Sequence, residues 1–437
     1  RAGRRLTPSL AVLVACSEPL DQFVAGDPSY LLGRRPEHAR VEPDNPSILV
    51  PHLKCAAYEL PFDENERYGE LAEDETREVL DALADARLLH RGERGYHHVS
   101  DAYPAAQVSL RGPVDENFLV VEEPRASGVG AAGAAPAPRI IAEVDYDDAP
   151  QDLHDHAIYQ LEGRQYQVLR LDHDNHKAYV EAVEVDYYTT ALLQTRVRVL
   201  ERASGTGCAS HGEVHVLDRV VGFKKIKLHT HENIGYGDVS EPDREMHTTA
   251  LWLTLEPRDV LALGWTAAEV TGATMALSRA LHSAAALLLM SERRDLGRAM
   301  GDARSSWFPV AGRGAKGLGG GDAPPDPRAP FSPTVFLFDR YRGGIGLAER
   351  LFDERHDLLA RTRAMLERCE CDEGCPGCVG PGQGVLIKRR AAKLAERFEQ
   401  ALGRELLAQR ALEAQPLFGD ARVQPHASSA DAPREAP

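Results

Sequence analysis

Four cysteines lie within ten residues toward the end of the sequence, in the spacing C-x-C-x3-C-x2-C. They are Cys369, Cys371, Cys375 and Cys378. Gly374, Pro376 and Gly377 favour the short turns that bring such thiols around one ion. Four thiolates select zinc and leave no coordination position for water, so the pattern predicts a structural zinc site without a catalytic role.

Two other interpretations of this cluster remain open, because an iron–sulfur cluster also uses four cysteines and the thiols could hold no metal. The other three cysteines, Cys16, Cys55 and Cys208, are isolated in the sequence. Buried thiols account for Cys16 and Cys55, and a nucleophilic role for Cys208 is disfavoured. Seven cysteines with this clustering favour a metal site in a reducing compartment over a disulfide framework, so we expect a cytoplasmic protein.

The overall charge does not by itself indicate a nucleic-acid partner. The 437 residues include 51 basic and 67 acidic side chains, for a net charge of −16. Contact with DNA would therefore depend on local basic patches. No stretch reaches about 18 uninterrupted apolar residues, the length of a membrane span, so no membrane association is expected.

The order of predicted elements indicates an α+β protein of several domains. A helical pattern over 71–90, followed by two short strands around Gly92–Gly95, predicts a winged-helix-like domain at 51–112 after a connector at 21–50. Alternating residues over 157–231 predict a small antiparallel, barrel-like module within 113–262, with a flexible loop at 124–139. Helical patterns then predict a helical zinc-binding domain at 263–414, and 415–437 has the composition of a disordered tail.

Two groups of basic residues are candidates for DNA contact. Those of the winged helix are Lys54, Arg87, Arg91 and Arg94, and those of one predicted strand are Lys224, Lys225 and Lys227. The acidic residues of segment 71–90 make a solvated helix face equally plausible, and winged helices also dock proteins. A charged strand edge is the alternative for the three lysines.

Three further features have plain structural explanations. Tyr187 and Tyr188 are candidates for stacking on bases, although core packing of one of them is favoured. The histidines at 154, 156, 173, 176, 229 and 231 include pairs spaced two residues apart, but they are interpreted as surface residues, not as metal ligands. The glycine-rich run Asp339–Gly346 lacks the Lys and Ser/Thr of a nucleotide-binding loop, so we expect it to pack tightly beside the zinc cluster.

Several motifs occur in the same order as in a known family. The opening Arg-Ala-Gly-Arg-Arg, followed by an apolar segment, resembles the end of helicase motif VI. Residues 20–62, DYYT at 186–189, GFKKI at 222–226, the Asp339–Gly346 run and the final CxC…GCPxC signature are similar to MrfA-like DEAD/DEAH-box helicases of superfamily 2. These bacterial repair enzymes are related to the fungal Hrq helicases.

This resemblance implies ATP-driven translocation on single-stranded DNA, 3′-to-5′ unwinding and a role in DNA repair. Residues 1–20 would close the second RecA-like domain, and Arg1 and Arg4 would stabilise charge on the γ-phosphate of ATP. The implied partners are DNA, single-stranded or duplex with a single-stranded tail, and an N-terminal RecA-like motor. The implied cofactors are structural zinc in this chain, with ATP and Mg²⁺ in the full-length enzyme.

The sequence departs from the family pattern in the nucleotide-binding motifs. It contains neither a G-x-x-x-x-G-K-[ST] loop nor the acidic motif that holds magnesium. We therefore expect that this chain alone neither hydrolyses ATP nor unwinds DNA. The alternative interpretation is a stand-alone zinc-containing DNA-binding or scaffold protein without a motor.

Overall fold

The computed structural model describes residues 10–15, 19–33, 42–93, 95–99, 101–108, 117–123, 137–239, 241–302, 332–380 and 384–413. Several predictions lie outside these residues and stay predictions: those for Arg1, Arg4 and Arg94, for most of the loop 124–139 and for the tail 415–437.

Among the described residues near the N-terminus, the apolar segment forms no strand and the predicted connector at 21–50 contains helices. Residues 10–15 form neither helix nor strand, and Leu10 and Val14 are exposed because no described strand pairs with them. Two short helices follow, α1 (Pro19–Gly26) and α2 (Pro28–Gly33). Each begins with a proline, whose fixed φ suits the first turn of a helix and favours helical structure here.

Helices α3 (Pro46–Glu59) and α4 (Glu73–Asp85) precede an antiparallel pair of strands, β1 (Leu89–Gly92) and β2 (Gly95–His98). Phe62 forms a β-bridge with Tyr96, which attaches the ribbon to the helices. The apolar residues of these elements form their own core, which includes Leu53, Leu80 and Tyr96. Two helices with a two-stranded ribbon are the arrangement predicted for the winged helix.

The region predicted as one barrel-like module contains two separate sheets. The first consists of β3 (Asn117–Glu122), β4 (Arg139–Asp145), β5 (Ile158–Leu161), β6 (Arg164–Asp172) and β7 (Lys177–Val183), with α5 (Ala149–Asp152) between β4 and β5. Its order is β4-β3-β7-β6-β5, and β3 pairs with β7 in parallel. The sheet is therefore mixed, not purely antiparallel as expected.

The second sheet is built around a long hairpin, β8 (Tyr187–Thr206) and β9 (Ala209–Lys227). Strands β10 (Asn233–Gly237) and β11 (Arg244–Thr254) also pair with β9, and β13 (Pro333–Asp339) lies between β11 and β12 (Leu296–Asp302). Since β12 and β13 come from the predicted helical region 263–414, that region is helical only in part.

The remaining helices are α6 (Pro257–Leu261), α7 (Ala267–Leu289), α8 (Leu347–Asp353), α9 (Arg355–Arg368) and α10 (Val385–Glu413). Helix α7 is buried around most of its surface because it packs against β12 and β13 on one side and against α9 and α10 on the other. The largest core of the chain forms here, and Cys378 is part of it. Among the described helices, none has the length and apolar character needed to cross a membrane.

Candidate metal centre and nucleic-acid contacts

The four cysteine sulfurs converge where α9 ends. The Sγ–Sγ distances are 3.4 Å for Cys369–Cys371 and Cys371–Cys378, and 3.5 Å for Cys369–Cys375 and Cys375–Cys378. All four sulfurs lie within 4.8 Å of one another. Sulfurs 2.3 Å from a tetrahedral zinc ion would be about 3.8 Å apart, so the set fits one such ion.

The four cysteines lie on one short segment, Cys369–Cys378, which forms a cysteine knuckle. Backbone hydrogen bonds hold the second half of this knuckle in a tight turn. The amides of Cys378 and Gly380 both donate to the carbonyl of Cys375, at 3.0 Å, and the amide of Cys375 donates to the Cys378 sulfur at 3.2 Å. Gly374 and Gly380 have φ values of 101° and 95°, which explains why glycine suits these positions. An amide donating to sulfur favours a thiolate, as a zinc ligand requires.

A lysine not predicted from the sequence completes the knuckle. Lys388, in the first turn of α10, donates from Nζ to the carbonyls of Cys369 and Cys371, at 2.6 Å each. Its charge would offset part of the negative charge of a zinc ion bound by four thiolates. Burial, with hydrogen bonds to Cys369 and Cys378, raises the pKa of the Cys375 thiol to about 12, and a bound zinc ion would instead keep this sulfur deprotonated.

The other metal and thiol candidates do not form sites among the described residues. Within that part of the chain, the four cysteines are the one group with the geometry to hold an ion, so the histidine pairs gain no support as ligands. His154 is buried and stacks on Phe223, contrary to the expected surface position, and His173 bonds Glu241 at 2.6 Å. Cys208 is buried and burial raises its pKa, which makes it a poor nucleophile.

The basic residues of the winged helix lie in an acidic environment. Arg91 donates to Asp81 at 3.1 Å and to Glu64 at 3.3 Å, and its guanidinium also lies over the Tyr96 ring. Lys54 is half-buried in α3, and Arg87 is exposed just after α4. Helix α4 itself carries six acidic residues and one basic residue. The positive charge of Arg91 is therefore already balanced within the domain.

The three lysines of β9 do not form one patch. Neighbouring residues of a strand point to opposite faces. Lys225 and Lys227 share a face with Tyr187, whose ring centroid lies 5.4 Å from Lys225 Nζ. Lys224 lies on the other face, opposite Thr190 on β8 and Tyr236 on β10. Contact of all three lysines with one DNA strand is therefore not supported by the register.

In the glycine-rich run Asp339–Gly346, the side chain of the first residue binds backbone amides at and just after the other end. The buried Asp339 carboxylate accepts hydrogen bonds from the amides of Ile345, Leu347 and Ala348, at 2.7, 3.1 and 2.8 Å. The amides of Leu347 and Ala348 open α8, so the aspartate occupies the amides at the start of this helix. Burial raises the pKa of Asp339 to about 6. The run is thus a packing element, and its position beside the zinc cluster stays a prediction.

This run contacts the winged helix, which the sequence did not indicate. Asn45 Nδ2 donates to the carbonyls of Arg342 and Gly344, at 2.8 and 2.5 Å. The Asn45 Oδ1 atom accepts from the amide of Ser47 and so caps α3. On the other side of the run, the amide of Gly343 donates to the carbonyl of His247 on β11 at 2.9 Å. One buried asparagine therefore joins the winged helix to the second sheet.

Two family descriptions match segments of this chain. Residues 41–113 match the winged helix domain of the ATP-dependent helicase HRQ1, which confirms the predicted winged helix. Residues 277–379 match the MrfA Zn-binding domain, and this range contains all four clustered cysteines. The arrangement of winged helix, sheets and cysteine knuckle thus has the character of a helicase segment.

Longer similarities support the same family. The Bacillus subtilis (strain 168) protein described as an uncharacterized ATP-dependent helicase, YprA, is 37% identical over 403 residues, which are 91% of this chain and 49% of that protein. The helicase HRQ1 of Saccharomyces cerevisiae is 24% identical over 396 residues, 87% of this chain and 34% of HRQ1. A crystal structure of the helicase MrfA is similar with a TM-score of 0.53 at 32% identity, covering 87% of this chain and 48% of that one.

The chain spans half or less of the length of these relatives. These matches support the C-terminal portion of an MrfA-like helicase, as the motif resemblance predicted.

Proposed function

We propose that this chain is part of an ATP-dependent DNA helicase that unwinds DNA from 3′ to 5′ during repair, and that it contributes DNA binding and a structural zinc site. The observation that carries this proposal is the convergence of four cysteine sulfurs inside the segment that matches the MrfA Zn-binding domain. The 37% identity to a helicase over 91% of the chain supports the wider context.

The zinc ligands in this proposal are Cys369, Cys371, Cys375 and Cys378. Zinc supplies no chemistry to a reaction here, because four protein ligands leave no position for water or substrate. Its contribution is to hold the end of α9 against the start of α10, through the knuckle between them. The resulting rigidity would position the helical layer relative to the second sheet.

ATP hydrolysis, in this proposal, depends on motor domains that carry the phosphate-binding loop and the magnesium ligands. Arg1 and Arg4 would contribute to the same reaction by stabilising charge on the γ-phosphate. Because these other parts do not occur in this sequence, we expect the chain alone to bind DNA without hydrolysing ATP.

The first experiment is the metal content and visible spectrum of the purified chain. We expect one zinc ion per chain and a colourless sample. A brown sample containing iron would replace the structural zinc site with a cluster, and a folded sample without metal would contradict both.

The second experiment measures binding of a fluorescent single-stranded oligonucleotide and of a duplex with a single-stranded 3′ tail, each with ATP turnover recorded in the same sample. Binding without turnover is expected. Turnover stimulated by DNA would contradict the inactivity of this chain, and absence of binding at low salt would contradict the DNA-binding role.

A second candidate function is docking of a protein partner by the winged helix, within a scaffold that binds zinc. The acidic character of α4 and the ion pairs of Arg91 favour it over direct phosphate contact by this domain. The double substitution of Lys54→Gln and Arg87→Gln tests the choice. A loss of DNA affinity would assign the winged helix to DNA, whereas unchanged affinity would favour docking.

A further inference from the structure

Three arginines gather around helix α7, and one of them reaches the cysteine knuckle. Arg279 lies on α7, Arg293 in the turn that follows α7, and Arg298 on β12. Arg298 Nη1 donates to Ser278 Oγ at 3.1 Å, and Arg293 Nε donates to His282 Nδ1 at 3.4 Å. Ser278 and His282 are four residues apart and share one side of the helix, so Arg298 and Arg293 approach that side. Arg279 lies three residues before His282 and is close enough to Arg293 and Arg298 for their charges to repel.

Two of these arginines differ from other arginines of the helical layer in how their charge is compensated. Arg404 forms two bonds with Asp259, at 2.7 and 2.8 Å, and Arg390 pairs with Glu269. In the part of the chain that the structure describes, no carboxylate lies within ion-pair distance of Arg279 or Arg298.

Burial and, after it, mutual repulsion both disfavour the positive charges of this cluster. Burial, followed by the charges of Arg279 and Arg293, lowers the pKa of Arg298 to about 10. Burial and the charge of Arg293 lower the pKa of Arg279 in the same way. Positive charge that is partly buried and unbalanced is costly, and a bound anion would remove that cost.

Hydrogen-bond donors at the cluster are also unused. The buried Arg279 Nε has no hydrogen-bond partner among the described atoms, and neither has the Oγ of the fully buried Ser283, one helical turn further along. Gly380, two residues after Cys378, makes room for Arg279, because a Cβ atom there would collide with Arg279 Nη1. The knuckle therefore fixes where one of the guanidinium groups lies.

The histidine of the cluster has a positioning role. His282 Nε2 lies 2.9 Å from the carbonyl of Leu296, and its Nδ1 faces Arg293. Burial lowers the pKa of His282 to about 4, so the ring is neutral at pH 7. A neutral ring that donates to the carbonyl from Nε2 can accept from Arg293 at Nδ1 and orient it.

We propose that Arg279, Arg293 and Arg298 form a binding site for a phosphate group. Guanidinium groups suit this ligand because their planar forks donate two hydrogen bonds to phosphate oxygens. The phosphate would come from a DNA backbone or from free inorganic phosphate. The first source rests on the proposed DNA-binding function, and the second does not.

The test of the site itself uses inorganic phosphate as the probe. Thermal unfolding of the full chain is followed at increasing phosphate, against sodium chloride of equal ionic strength. We expect phosphate to raise the Tm of the wild-type chain, and the increase to be lost in Arg279→Gln and Arg298→Gln. Without phosphate, Arg298→Gln should be at least as stable as wild type, because it relieves repulsion.

The matched control is Arg294→Gln. Arg294 is in the same turn as Arg293, but its side chain is 78% exposed and pairs with Glu292 outside the cluster. Arg298→Lys is a second variant, which retains the charge and loses the planar fork. Zinc content is measured for each variant, so that damage to the knuckle is distinguished from loss of the site.

The source of the phosphate is decided by DNA affinity. If the ligand is a DNA backbone, Arg279→Gln should weaken binding of a single-stranded oligonucleotide about tenfold. The slope of log affinity against log salt concentration should also fall by about one, as expected for the loss of one phosphate contact. If only the phosphate response is lost, the site exists and takes free phosphate.

The proposal is overturned if the phosphate response of both glutamine variants equals that of wild type, or if Arg294→Gln loses it equally. This outcome is distinct from failure of the DNA-binding function, which would leave the phosphate response intact in a chain that does not bind the oligonucleotide.

Discussion

The winged helix and the cysteine knuckle are both small modules with basic residues nearby. They differ in the core that stabilises them and in whether carboxylates balance the charge of their arginines. The winged helix has its own apolar core, and its Arg91 is paired with two carboxylates. Cys378 of the knuckle and the adjacent Val379 are part of the largest core, and the other three cysteines pack against it. Among the described residues, Arg279 and Arg298 have no carboxylate within ion-pair distance.

Basic residues in a sequence therefore do not show by themselves where an anion binds. What matters is whether the fold has already supplied the opposite charge. By that criterion the structure favours the knuckle side of the molecule for phosphate contact and leaves the winged helix free for packing or docking.

Removal of one zinc ligand should separate the two modules most clearly. We expect Cys371→Ser to lose zinc and to cost on the order of 5 kcal/mol of unfolding free energy in the helical layer, because metal binding and folding are coupled at structural sites. Hydrogen exchange should increase in α9 and α10 and stay unchanged in α3 and α4. Cys55→Ser, outside the cluster, is the control and should retain zinc. Equal zinc content in both variants would refute the assignment of the ligands.

Asp339 should give the next largest effect, and a pH-dependent one. Its pKa of about 6 in the folded chain exceeds the ordinary value, so the folded state binds a proton more tightly than the unfolded state. The stabilisation is complete below about pH 4 and is lost as pH rises through about 6, a change on the order of 3 kcal/mol.

Asp339→Asn should remove this pH dependence. The variant also loses stability, by about 1–3 kcal/mol, because an amide cannot accept all three backbone hydrogen bonds. Chemical denaturation at pH 4 and pH 7 measures both effects, and we expect the deficit relative to wild type to be larger at pH 4. Asp357→Asn, an exposed carboxylate paired with Arg361, is the control. The same deficit at both pH values would mean that Asp339 has an ordinary pKa.

How far the sequence predicts these features depends on how far apart the interacting residues lie. The cysteine knuckle and the winged helix were predictable because short spacings and local helical periodicity define them. The order of strands in the sheets was not predictable, because it depends on distant pairings. Strand β11 pairs with the preceding β9 and also with β13, which lies about 80 residues further along the chain. The contact of Asn45 with Gly344 spans 299 residues and leaves no local signal. Likewise, the balance of charge at Arg91 and Arg298 depends on the tertiary fold.

The link between the modules can be tested at Asn45. Asn45→Ala removes the helix cap and both bonds to the glycine-rich run, and should cost about 1–2 kcal/mol. Asn45→Asp keeps an oxygen for the cap and loses only the Nδ2 donor, which makes it a matched variant. We expect both to increase hydrogen exchange at Gly343 and Gly344, and only the alanine variant to increase it at the start of α3. Unchanged exchange in the glycine-rich run would show that Asn45 serves only as a cap.

The smallest expected effect is the most direct test of the contrast. Arg91→Gln should change oligonucleotide affinity by less than about twofold, because the side chain is exposed and already paired with Asp81 and Glu64. Arg279→Gln, which removes the same charge near the knuckle, should have the larger effect described above. Anisotropy titrations of both variants at two salt concentrations measure the difference. If Arg91→Gln had the larger effect, an ion pair in the free chain would have opened to admit phosphate. The charge balance of the folded state would then be a poor guide to where DNA binds.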